Sequence, residues 1–512
     1  MIIIEKLKQT ILILSLVMLP YLAFAQHQKA VEAVLKKAGK NRIELEKAIR
    51  YCKKSGDPLK IKAMNFLIAN MDIHYSADYY WVDKAGKKVN YNELVYPNFE
   101  KALKAFEILK NKNPEIHPKT VIYKDIDKIK GDFLIQNLEN AFKSWNSSVI
   151  KNIPFESFCE YILPYRVSVE PLQDWRNPYK NKFRWLNQKV KTEGLKSALF
   201  YVRDDYITWF TNTYGKEARK EPLPRLGALQ LLLRKQGSCE DIADLEVFTM
   251  RSQGIPASVN VIPYWATATG SHFVNTVFDS KMRPVKFDIH NSKPLNEALN
   301  REPAKVLRLT YSKQPGILAR FESQKNIPAG ILRTQNYIDI TKEYWETKDV
   351  ECVLFASAAK PKVVYASVFN GLNWKPCWWG KVKEDKTTFR SMCEGTVFLP
   401  QYYSNGEFTT AGYPVVVGHK KSTILIPDEL QTRYVLISEM PSYLNFKQGI
   451  VYKLFYWNKS WKLLDTRVAE SNTQSMLFTK VPKNALLLFL ASDSKHLERP
   501  FIVNDDGNRT WF

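Results

Sequence analysis

Between Gly237 and Val259 the sequence runs GSCEDIADLEVFTMRSQGIPASV, and this stretch limits the fold more than any other. Gly237-Ser238 interrupts the chain. Residues 240–252 then place apolar side chains at Ile242, Leu245, Val247, Phe248 and Met250, the spacing of a helix with a buried stripe. Glu240 and Asp241 put negative charge at the helix start, where free backbone N–H groups favour it. Gly254-Ile255-Pro256 ends the helix, and the chain resumes as a strand. Cys239 therefore falls at or near the first helical turn.

A thiol attacks an acyl group only as thiolate, so a catalytic cysteine needs help in losing its proton. A helix N-terminus and a neighbouring histidine are the two usual aids. Cys239 has the first by position. For the second, seven histidines are available, and two follow the helix directly: His272 and His290. Residues 270–292 read as a hairpin in which Phe273, Val277, Val285 and Phe287 alternate with polar or small residues around a turn at Asp279 to Arg283. His272 opens the first strand, behind Gly270-Ser271, and Asp288 lies near the end of the second. A pairing centred on residue 280 brings His272 and Asp288 within a residue or two of register across the ladder. A carboxylate holding the second ring nitrogen completes a Cys-His-Asp set of Cys239, His272 and Asp288. His290 alternates with Asp288 and competes as the base.

The order G-x-C, helix, G-I-P-A, then S-H-aromatic and a strand ending in F-D resembles the transglutaminase-like superfamily of papain-type thiol enzymes. Gly237, Cys239, Gly254-Ile255-Pro256-Ala257, His272 and Asp288 carry the likeness. It implies Cys239 as nucleophile, His272 as base and Asp288 as its orienter. Phe273 and Ile289 stand where the family often has Trp and Pro. The oxyanion donors implied are the Cys239 backbone N–H and an upstream side chain, with Trp175 and Gln236 as candidates. The likeness spreads from about 55 residues to a core of roughly 150–345. The flanking regions resemble modules of exported Bacteroidetes proteins of this type.

At 512 residues the chain is too long for one core. The expected class is multidomain α+β. Residues 26–148 read as a helical domain, with apolar spacing at Val31, Val34, Leu35, Ile43, Leu45, Ala48 and Ile49. Residues 149–345 are the papain-like α+β core, including an irregular Pro-, Tyr- and Trp-rich stretch at 161–185 and a helix from about Lys191 to Tyr214. Residues 350–427 and 428–512 read as two all-β sandwich-type modules, the second containing a hairpin around Asn458-Lys459.

Residues 1–25 read as an export signal: Lys6 and Lys8, an apolar run from Ile11 to Phe24, and Ala23-Phe24-Ala25 ahead of a cleavage point after Ala25. No later stretch is long and apolar enough to span a membrane. The net charge of +23 suggests nucleic acid, but export points instead to cell-wall polymers, anionic glycans or a solvated lysine surface. Six cysteines show no CxxC spacing, which argues against zinc, and no metal or cofactor is implied. Cys377 and Cys393 could pair as a disulfide within one β region.

Two functions fit. One is an exported thiol enzyme on amide bonds of peptide, glycopeptide or cell-wall material, hydrolytic because no calcium-type loops are evident. The other is a degenerate scaffold whose β modules bind glycan through Trp374, Trp378, Trp379, Tyr402, Tyr403, Trp457 and Trp461.

Overall fold

A computed structural model describes residues 28–213, 225–289, 295, 299–356, 361–440 and 443–512. The leader with its cleavage point at Ala25, and His290, lie outside the described residues. The chain divides into two compact units, each made of three segments. The first takes Met1–Val259, Val274–Asn296 and Leu309–Lys313. The second takes Asn260–Phe273, Glu297–Arg308 and Gln314–Phe512.

The first unit is mainly helical. The helix Arg42–Ser55 turns Leu45, Ala48 and Cys52 inward. The helix Pro58–Ala69 starts where Pro58 suits the first helical position and the Asp57 carboxylate accepts from the Leu59 N–H at 2.8 Å. The helix Gly131–Asn146 buries Leu134, Leu138, Ala141 and Phe142. The helical reading of 26–148 is incomplete, because a three-stranded antiparallel sheet sits within it. Tyr75–Val82 is its central strand, flanked by Lys88–Val89 and His117–Lys124. The segment YSADYYWV is rich in aromatic residues that favour strands, and Trp81 packs on Phe106 at 4.4 Å between ring centres.

The single helix expected from Lys191 to Tyr214 is two, Trp185–Glu193 and Leu195–Trp209. Gly194 separates them with φ of +82°, a conformation that only glycine adopts without strain. The stretch before Trp175 is irregular and held by buried arginines. Arg166 grips both oxygens of Asp125 at 2.6 Å, and Tyr165 donates to the same carboxylate at 2.9 Å. Arg176 donates to the carbonyls of Ile162, Leu163 and Pro164. A buried backbone without regular structure needs such partners.

The Cys239–Ser252 helix is buried along its length from Asp241 onward. Phe248 packs on Trp175 at 4.8 Å and on Tyr179 at 5.5 Å. The helix ends against the end of Gly131–Asn146 and the residues after it: Ser144 Oγ donates to the Ser252 carbonyl and Ser148 Oγ to the Gly254 carbonyl, both at 2.8 Å. Gly254 has φ of +74°. The hairpin strands are His272–Phe278 and Pro284–Phe287. Their pairs run from Asn275↔Phe287 to Phe278↔Pro284, so the turn is centred on residue 281 rather than 280. Asp279 closes that turn by accepting from the N–H groups of Lys281 and Arg283, each at 2.9 Å.

The second unit is dominated by antiparallel strands. One sheet runs Asn373–Lys381, Val363–Asn370, Thr396–Ser404, Val415–Val417, Ser422–Ile424, with Glu407–Thr410 also paired to Thr396–Ser404. A ribbon of Thr347–Val353 and Lys386–Cys393 shares its core through Val364, Val368, Phe389 and Phe398. The last sheet contains the expected hairpin, Val451–Trp457 paired with Trp461–Val468 around the turn at Asn458-Lys459. The ribbon Asp428–Ser438 with Ser475–Lys483 joins its core through Ile437, Tyr452, Phe478 and Phe489. The fold class is thus mixed α+β. Cys377 and Cys393 are both free and buried, so the disulfide expectation is corrected. Among the described residues no helix is long and apolar enough to cross a membrane.

A Cβ at residue 254 would collide with the Ser144 carbonyl oxygen and force a side chain into left-handed backbone. Gly254→Ala should therefore lower stability by about 2–4 kcal/mol. Urea unfolding measures it, and an unchanged midpoint would contradict the close approach.

Candidate active site

The motif Gly237-Ser238-Cys239-Glu240-Asp241 is a helix start built by reciprocal capping. Ser238 is the N-cap, with extended backbone. Asp241 accepts from the Ser238 N–H at 2.9 Å and from its hydroxyl at 2.8 Å, and the Ser238 oxygen faces the Asp241 N–H at 3.5 Å. A Cβ on Gly237 would stand 2.6 Å from the Asp241 Cβ, so glycine leaves the room that this fold-back needs. Cys239 is then the first residue of a 14-residue helix, at the positive end of its dipole.

All six cysteines lie among the described residues, and they differ sharply. Cys239 is half-buried, while Cys52, Cys159, Cys352, Cys377 and Cys393 are buried. Burial pushes the thiols of Cys52, Cys352 and Cys377 up to about 12 and raises those of Cys159 and Cys393 as well. None of these five is suited to become a thiolate.

In the first unit the hairpin is tied to this helix. Asn275, on the strand His272–Phe278, donates to the Ala243 carbonyl at 2.9 Å, one turn beyond Cys239. Asp288 follows the strand Pro284–Phe287 directly and belongs to the same unit as Cys239. Its charge is felt by Glu246, seven residues after Cys239 and so on the same helical face two turns on. Glu246 is 1% exposed, and among the described residues neither carboxyl oxygen has a hydrogen-bond partner. Burial first, and Asp288 second, push its carboxyl well above the usual range.

His272 opens its strand, half-buried, with its ring stacked on Trp265 at 5.8 Å and 26°. The division between units falls between Phe273 and Val274, so His272 and Trp265 belong to the second unit. Trp175 is a packing residue: it is 2% exposed and its indole N–H donates to the Tyr165 carbonyl at 2.8 Å. That spends the one donor an oxyanion role would use. Gln236 is half-buried in a short parallel pair with Thr211, next to Gly237, whose carbonyl accepts from the Thr213 N–H at 2.7 Å.

One feature at the helix start was not foreseen. Arg225, 3% exposed, forms ion pairs with Asp244 and Glu240 and donates to Ser168 Oγ at 3.0 Å. Glu240 and Asp244 are four residues apart and so share a helical face. Their spacing was a visible signal, but the arginine that answers it is distant in sequence. Burial pushes Asp244 up to about 7 although Arg225 pulls it down.

The aromatic residues of the β region largely pack on one another. Trp457 meets Trp374 at 5.5 Å and Trp461 at 5.1 Å, edge to face, and Phe369 joins both Trp374 and Trp461. Tyr403 packs against Phe408 and Tyr365.

Residues 187–289 match the family model described as the transglutaminase-like superfamily, a span that includes Cys239, His272 and Asp288. No curated protein matches the chain.

In the folded protein near pH 7, iodoacetamide should modify Cys239 and spare the five buried cysteines. Peptide mapping reads this out, and faster labelling of any other cysteine would refute it. Glu246 supplies a pH prediction. Its pKa is raised on folding, so the stability it favours is full below about 4.5 and declines as pH rises toward its native value. Glu246→Gln should therefore gain on the wild type from pH 4.5 upward, by at most about 1.4 kcal/mol per pH unit. Parallel urea midpoints for the two proteins at pH 5 and 7.5 would contradict a buried neutral acid.

Proposed function

We propose that this protein is a thiol enzyme acting on amide bonds, with Cys239 as nucleophile, His272 as base and Asp288 as the group that orients it; the match of residues 187–289 to the transglutaminase-like superfamily supports this reading. The observation that carries this reading is the placement of Cys239. It is the half-buried cysteine of the six and the first residue of a capped helix. Two further contacts support it. Asn275 ties the hairpin to the first turns of that helix, and Asp288 acts on Glu246 of the same helix.

In the reaction, His272 takes the Cys239 proton and the thiolate attacks a carboxamide carbonyl. The tetrahedral intermediate collapses as His272 returns the proton to the departing amine, leaving a thioester on Cys239. The Cys239 backbone N–H, at the first position of the helix, serves as an oxyanion donor. Water activated by His272 then releases the acid and restores the thiol. Hydrolysis is preferred over transamidation because water needs no second binding site. The export signal read in residues 1–25 supports a reaction outside the cytoplasm, on peptide, glycopeptide or cell-wall amides.

The test is turnover of a peptide and glycopeptide library by the full chain. Cys239→Ala should lower the rate by about 10³-fold or more, and His272→Ala by a similar factor. Mass spectrometry of a slow substrate should find the acyl group on Cys239. Undiminished turnover by Cys239→Ala would end the proposal.

A further inference from the structure

His272 is preceded by a loop, residues 265–271, that has little regular structure of its own. A base must be held to within about half an ångström of its working position. What holds this loop comes from far along the chain. Asn370 is the last residue of the strand Val363–Asn370 and is 7% exposed. Its Nδ2 faces the carbonyls of Trp265, Ala268 and Gly270 at 3.0, 2.8 and 3.0 Å, and its Oδ1 accepts from the Gly270 N–H at 3.2 Å. Its two N–H groups and its carbonyl are all spent on this loop. Aspartate would lose the donors and glutamine would be a methylene too long.

Trp265 is the second part. It is 7% exposed, and its N–H donates back to the Gly270 carbonyl at 3.1 Å, closing the loop. On the other side the loop is laced to residues 302–304: Ala266 N–H donates to the Glu302 carbonyl, and Ala304 N–H to the Tyr264 carbonyl. The His272 ring lies against the Trp265 indole, and Arg301 lies over the same indole at 5.4 Å. All of these residues belong to the second unit.

We infer that Asn370 and Trp265 are positioning residues for His272: Asn370 fixes the loop 265–270, and the loop fixes the indole against which the imidazole rests. The β strand ending at Asn370 is then a working part of the base's support. This inference rests on reading His272 as the base of Cys239. Arg301 and Glu302 are the charged residues that flank the loop, and Asp288 is the carboxylate assigned to the ring.

The experiment measures the rate at which iodoacetamide alkylates Cys239 from pH 5 to 9 in the full-length chain, mapped by peptide, with thermal melting of each protein alongside. The wild type should label on a low-pH limb that His272→Ala removes. Asn370→Ala and Trp265→Leu should slow labelling near pH 6 by roughly tenfold and move the limb toward that of His272→Ala, whereas Trp265→Phe should restore the wild-type profile. Asn370→Asp, which keeps the shape and the acceptor but loses the donors, should fall with Asn370→Ala. If Asn370→Ala and Trp265→Leu keep the wild-type profile while His272→Ala loses it, the positioning role is overturned and the base assignment stands. If His272→Ala itself matches the wild type, the base assignment is overturned and this inference with it. A shift that Trp265→Phe fails to restore, or that comes only with lost cooperative melting in both Asn370→Asp and Trp265→Leu, marks general destabilisation and also overturns the role.

Discussion

The fold-back of Asp241 onto Ser238 is the interaction on which the rest depends. It closes the helix start around a glycine with no room for a side chain, and it fixes which residue comes first. Shift the cap by one residue and Cys239 is no longer the first helical residue. The acidic pair in the motif therefore has divided duties. Asp241 serves the backbone, and Glu240 meets Arg225. The negative charge beside the thiol is in this way largely occupied, one carboxylate by capping and the other by a buried cation.

Behind that start, the helix carries more ionisable groups than a buried element usually tolerates. Asp244 is answered by Arg225 and Ser168. Among the described residues, none answers Glu246 with a hydrogen bond. The cheapest state for such a group is the neutral one. The face of the helix that carries Cys239 thus continues inward to a buried acid whose carboxyl is pushed up by burial and by the charge of Asp288.

What could be read from the sequence follows sequence distance. The helix after Cys239, the stop at Gly254 and the hairpin around Asp279 are set by neighbours within a few residues, and each was legible. Even the register was, apart from a shift of the turn centre by one residue. The strand Tyr75–Val82 was missed because its main partner, His117–Lys124, lies some forty residues on, past a helix. Trp175 looked like a free donor because nothing local reveals that the Tyr165 carbonyl takes its N–H. Arg225 and Asn370 were invisible for the same reason: each acts on residues remote in sequence, Asn370 on a loop about a hundred positions earlier. The family match spans the Cys239 helix and the hairpin up to residue 289.

The way the chain alternates between its two units bears on how the protein can be cut and made. The first unit draws its segments from before residue 260, from 274–296 and from 309–313, with pieces of the second in between. A gene truncated anywhere before residue 313 would encode an incomplete first unit, and one ended near 345 would strip the second of most of its strands. Ribosomal synthesis meets the same order: the helix of Cys239 is finished well before the hairpin segment it packs with has emerged. Neither of the two units can be lifted out as a single contiguous piece.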